Sequence, residues 1–91
     1  MTSGTLTPAE LRRRLAANAR RLRAAASLTI KQAAEQAGMH WRHWQKVEAS
    51  QNNATLATIV RMAGALNSTP AELLAEPPKA PEEPPGAAGV A

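Results

Sequence analysis

The sequence contains no cysteine, phenylalanine, tyrosine or aspartate. Without thiols, neither a disulfide framework nor a thiolate zinc site can staple the fold, a pattern compatible with a reducing compartment. No apolar run approaches the roughly 20 residues of a membrane span. The opening MTSGTLTPAE lacks the charged-then-apolar order of a signal peptide. A soluble cytoplasmic protein with no membrane partner is expected. Catalysis is poorly served: there is no phosphate-cradling glycine run and no paired carboxylates beside a base. About 65 folded residues are too few to enclose a substrate pocket. A non-enzyme without cofactors is expected.

The 91 residues suffice for one small domain. The net charge is +4, and the basic surplus lies in residues 1–76, where ten Lys or Arg face five Glu. A small basic domain points towards nucleic acid, although the same surplus also suits a well-solvated surface.

The word TPAEL occurs at 7–11 and again at 69–73. Each copy reads as a helix start: Thr7 or Thr69 at the N-cap, Pro8 or Pro70 where no donor is needed, and Glu10 or Glu72 closing a capping box. The first helix is expected from Pro8 to about Ala26, with Leu11, Leu15, Ala19, Leu22 and Ala26 as its buried stripe. Its arginines spread around the rest of the circumference. Thr29 and Gln32 open a second helix, 30–37, which Gly38 stops by offering a left-handed residue. A third is expected at 41–49, a fourth at 56–66 behind Thr55, and a fifth at 70–75. Residues 1–6 read as a flexible terminus and 7–75 as the domain. Residues 76–91 hold five of the seven prolines and read as a disordered tail. The fold class is all-α, with five helices and tight connections. A helix, a Gly turn and a second amphipathic helix form the helix-turn-helix pattern.

The order of residues resembles the Cro/phage-repressor (XRE-type) helix-turn-helix family over roughly 15–74. The similarity rests on RLRAAASLTIKQAAEQAGM, on the spacing to WQKVEAS, and on TLATIVRMAGALNSTPAELL. It implies a lambda-repressor-like domain in which Arg23, near the end of the first helix, pairs with Glu48 at the end of the recognition helix. Two positions depart from the family pattern. Ile30 stands where a backbone-gripping Gln is common, and Ala33 stands where a bulky aliphatic is usual.

The only aromatics are Trp41 and Trp44, three residues apart. Stepping about 100° per residue around the third helix puts Trp44 and Val47 on one face and Arg42, Gln45 and Lys46 on the other. Trp41 lies on the border. Burying a Trp is worth roughly 4–6 kcal/mol as an upper figure, so Trp44 is read as core, filling the room left by Ala33. Trp41 has two readings: a half-buried cover over Leu or Met, or a flat edge against sugar or a thymine methyl.

For such a fold the implied partner is double-stranded DNA, with Trp41, Arg42, Gln45 and Lys46 as base readers in the major groove. Arg42 suits guanine, Gln45 adenine, and Lys46 guanine or phosphate. Thr29, Lys31, Gln32, His40, His43, Gln51, Asn52 and Asn53 are the candidate phosphate grips, with His40 a cap as well. His40 and His43 lack a Cys or nearby carboxylates to complete a metal shell, so no metal is assigned. The resemblance further implies a transcriptional regulator, most simply a repressor. It would be bacterial or phage-encoded, nucleoid-associated when on DNA, and a homodimer through its last helices, with Val60, Leu73 or Leu74 as contacts. The alternative is a protein-interaction module, antitoxin-like or regulatory, reaching a partner through Trp41 or the Pro-rich tail.

Overall fold

The computed structural model describes residues 6–78. The readings of a flexible terminus and a disordered tail therefore lie, for residues 1–5 and 79–91, outside the described residues. Five helices follow in order: α1 (Pro8–Ala25), α2 (Ile30–Ala37), α3 (Trp41–Glu48), α4 (Leu56–Ala65) and α5 (Pro70–Leu74). There is no strand among the described residues.

Every helix start is satisfied by a side chain. Thr7, Thr29, Thr55 and Thr69 each accept a hydrogen bond from the backbone N–H three residues on, at 3.0–3.1 Å. His40 does the same for α3, its Nδ1 accepting from the Arg42 N–H at 3.1 Å. The boxes of Thr29 with Gln32 and of Thr69 with Glu72 are reciprocal. The expected box at Thr7 is only half made. Glu10 turns along the helix to Arg13 at 2.6 Å and Arg14 at 3.1 Å. Two guanidinium partners at helical spacing draw the carboxylate away from a single N–H.

Four helix ends share one device. After α1, α2, α3 and α4 the chain places Ser27, Gly38, Ser50 and Asn67 at positive φ. The next N–H then reaches back to close the helix: Leu28 to the Arg23 carbonyl, Met39 to Ala34, Gln51 to Lys46 and Ser68 to Ala63, at 2.8–3.1 Å. These are Schellman closures, which satisfy carbonyls that a helix end would otherwise orphan.

The core is alanine-rich and built around one large side chain. Trp44 is wholly buried among Leu15, Ala19, Ala33, Ala34, Val47, Met62 and Leu73. Ala33 is equally buried, in the same cluster as the indole. Helix α1 packs on α3 and α5, and α2 on α3 and α4. The α1 stripe is shorter than expected: Leu11 and Leu22 are half-buried, and Ala26 is an exposed cap beyond the helix. The stripe also contains a buried polar residue that apolar periodicity passes over. Asn18 Nδ2 donates to the carbonyls of Leu73 and Ala75, each at 2.8 Å, and Asn18 Oδ1 accepts from Arg21 at 3.0 Å. One side chain thereby ties α1 to the end of α5.

Candidate nucleic-acid interface

Helix α3 is anchored from behind. Glu48, 6% exposed, accepts from Arg23 through Nε at 2.7 Å and Nη2 at 3.0 Å. Its carboxylate also accepts from the Trp44 indole Nε1–H at 2.6 Å. Arg23 donates its remaining reach to the Leu28 carbonyl, and Arg20 donates to the Glu48 carbonyl at 2.6 Å. The hydrogen-bonded carboxylate pushes the Arg23 guanidinium above its ordinary pKa, against the opposing effect of burial. The buried charge is thus paired and its acceptor positions filled, as a low-dielectric site requires.

With Trp44 and Val47 turned inward, Arg42, Gln45 and Lys46 are exposed on the other face of α3. His43 is half-buried beside them. Arg42, His43 and Lys46 line one shallow groove together with Asn52 from the following loop. Among the described residues, neither Arg42 nor Lys46 has a carboxylate within ion-pair distance. This face is a cationic surface without carboxylate partners among the described residues, suited to an anionic ligand.

Trp41 takes the half-buried position, packed at the edge of the core. Its ring is surrounded by polar groups: Lys31 Nζ lies 5.4 Å from the centroid, Arg42 Cζ 5.3 Å, and the His40 ring stacks on it at 5.9 Å. Lys31 comes from the first turn of α2, so the indole joins the starts of the two helices. Thr29 and Gln32 at that same turn have engaged their oxygens in the capping box, which leaves the Gln32 amide N–H groups as donors. Ile30 is half-buried against the core.

Not every residue named from the sequence gathers here. Asn53 Oδ1 accepts from Arg12 of α1, and Asn53 lines a different groove with Pro8, Leu11, Leu56 and Leu74. Gln51 is exposed and does not line the α3 groove. Leu73, expected as an exposed dimer contact, is completely buried in the core, because α5 packs on both α1 and α4. Leu74 is half-buried and Val60 exposed. Arg20, which no sequence pattern singles out, joins the anchor through a carbonyl that only the fold brings near.

Comparison with known proteins agrees with this geometry. Residues 14–75 match the family described as a helix-turn-helix domain. The chain belongs to that family. Its class is DNA-binding transcriptional regulator, in keeping with its structural neighbours. A hypothetical transcription factor, NHTF from Neisseria, superposes with a TM-score of 0.73 at 28% identity, covering 85% of this chain and 88% of that one. The restriction-modification controller protein C.AhdI from Aeromonas hydrophila does so with a TM-score of 0.66 at 31% identity, over 68% of this chain and 94% of its own. A transcriptional regulator from Vibrio cholerae shares the fold, with a TM-score of 0.70 at 19% identity over 74% of this chain and 38% of that longer one. Among curated proteins none matches the sequence significantly.

Proposed function

We propose that this regulator is a repressor that binds as a homodimer to a two-fold operator, inserting α3 into the major groove of each half-site. Arg42, Gln45 and Lys46 read base edges. Lys31, the Gln32 amide, His43 and Asn52 hold the phosphates, with Thr29 and His40 at the helix starts and Gln51 at the flank. The observation that carries this reading is the split character of α3. A buried Trp44–Glu48–Arg23 anchor stands behind a face of three exposed, carboxylate-free polar side chains. A helix fixed on one side and charged on the other is what the major groove admits.

A second copy of the chain is assigned to the exposed apolar residues of α4. Leu56 and Val60, one turn apart on α4, are 79% and 57% exposed, and a largely apolar groove lies beside Leu56. Such a protein acts by occupancy and not by chemistry, in the cytoplasm and on the nucleoid. Among the described residues no helix is long and apolar enough to cross a membrane.

The reading is tested by selecting bound duplexes from a random pool, then titrating the winner from about 50 to 200 mM salt. A palindromic sequence whose affinity falls steeply over that range is expected. An interaction module working through apolar contacts would show neither enrichment nor a comparable salt slope.

A further inference from the structure

Lys31 and Arg42 come from different helices, yet both cations lie over the same indole, at 5.4 and 5.3 Å. Among the described residues neither has a carboxylate partner. Each stands at the second position of its helix, where the dipole is positive and adds to their mutual repulsion. The ring's negative face is what offsets that crowding. His40, whose Nδ1 caps α3, stacks on the same ring and so occupies part of its surface. An indole covered in this way has little free area to lay on a base. A guanidinium lying over a ring, by contrast, keeps its in-plane N–H edge open for bidentate bonding, and a lysine ammonium keeps its outward donors.

We propose that Trp41 is a positioning residue whose indole gathers Lys31 and Arg42 into one clamp, coupling a phosphate contact by Lys31 to a base contact by Arg42. The proposal rests on the DNA-reading assignment above and adds to it how the recognition helix is tied to the backbone grip. The specificity of Arg42 then depends on a ring that itself reads nothing, and the α2 start and α3 start engage DNA as a unit.

The test uses the full chain and the duplex selected from a random pool. Affinity is measured from about 50 to 200 mM salt for the wild type, Trp41→Phe, Trp41→Leu, Lys31→Ala and the Trp41→Leu/Lys31→Ala pair, with a thermal melt of each. Trp41→Leu keeps an apolar cover over the core edge and removes the π face, so it separates positioning from packing. Trp41→Phe, which retains a ring, is expected to bind close to the wild type. Trp41→Leu is expected to lose about tenfold in affinity and to relax the base preference at the Arg42 position. Lys31→Ala is expected to reduce the salt slope by about 0.9 in the wild type and by much less when combined with Trp41→Leu. Wild-type affinity and slope in a folded Trp41→Leu protein, or an equal Lys31→Ala effect in both backgrounds, overturns the clamp while leaving DNA recognition intact. A wild type that binds no duplex overturns both.

Discussion

The indole Nε1–H of Trp44 donates to the Glu48 carboxylate one helical turn later, at 2.6 Å, inside the core of the domain. Arg23 from α1 closes on the same carboxylate through two nitrogens. A large aromatic buried in a small alanine-rich core therefore carries its polar atom to a charged group that another helix neutralises. The Arg23–Glu48 pair, reaching from α1, and the burial of Trp44 fix the rotation of α3 about its axis, and with it the direction in which Arg42, Gln45 and Lys46 point.

Glu48 is the member on which the others converge. Glu48→Ala leaves a guanidinium and an indole N–H without their acceptor and is expected to destabilise the fold by about 2–4 kcal/mol, somewhat below a fully buried pair because Arg23 is partly exposed. Glu48→Gln, which can still accept from the indole, should lose less. Urea denaturation of the two variants orders them, and equal losses would show that the indole bond adds nothing once the ion pair is gone.

Asn18 makes the same kind of prediction at the other end of the bundle. Asn18→Ala frees the carbonyls of Leu73 and Ala75 and is expected to lower stability by about 1–3 kcal/mol. Asn18→Asp should do worse, since it sets a carboxylate against two carbonyl oxygens. Hydrogen exchange at the amides of α5 reports the release. Unchanged protection there would rule out the tie.

Three of the four left-handed helix ends use a residue with a Cβ. Ser27→Gly and Ser50→Gly are each expected to raise stability by up to about 1 kcal/mol, because a left-handed conformation costs an L-residue roughly 1–2 kcal/mol and glycine gives part of that back as unfolded-chain entropy. Asn67→Gly should gain less, as Asn tolerates the region better. At Gly38 the sign reverses. An added Cβ would meet nothing within 4 Å, so Gly38→Ala loses only the intrinsic conformational term, about 1 kcal/mol. Thermal melts distinguish these cases.

Acid weakens the first turns of α1 and α5. Hydrogen bonds from Arg13 and then Arg14 hold the Glu10 carboxyl below its ordinary pKa, and the Ser68 hydroxyl followed by the Thr69 N–H does the same for Glu72. A carboxyl whose folded pKa is depressed contributes stability that is fully present above its unfolded value. That contribution is lost as pH falls through the folded one. Melting temperature should therefore hold above about pH 5 and fall below the ordinary glutamate pKa near 4.3. Glu72→Gln, which retains the box but not the charge, should flatten part of that fall. An identical acid profile in the variant would remove Glu72 from the explanation.

Much of the fold is legible in the sequence. Thr-led starts, Gly38 and the apolar spacing mark all five helices, because capping and periodicity are local properties. The helical wheel alone places Trp44 inward. What escapes such a reading depends on neighbours distant in sequence. Asn18 looks like a surface residue until α5 brings two orphan carbonyls to it. Ser27, Ser50 and Asn67 give no left-handed signal comparable to glycine, and closure by the following N–H is what holds them there. Glu10 has two rivals for its carboxylate that a capping-box pattern ignores. Asn53 sits in a polar loop suited to phosphate, yet Arg12 on α1 captures it. Trp41 is open to two readings in the sequence because the cation from α2 is visible only once α2 and α3 are packed.

The most direct measurement is a duplex selection run in parallel on the wild type and Arg42→Ala at the same salt. Expected is a two-fold-symmetric sequence for the wild type. The variant should retain the remaining positions but lose preference at one base pair in each half-site, with about 1–3 kcal/mol less affinity for the original duplex. No enrichment by the wild type, or the same full preference in both proteins, would contradict the assignment of the outer face of α3 to base reading.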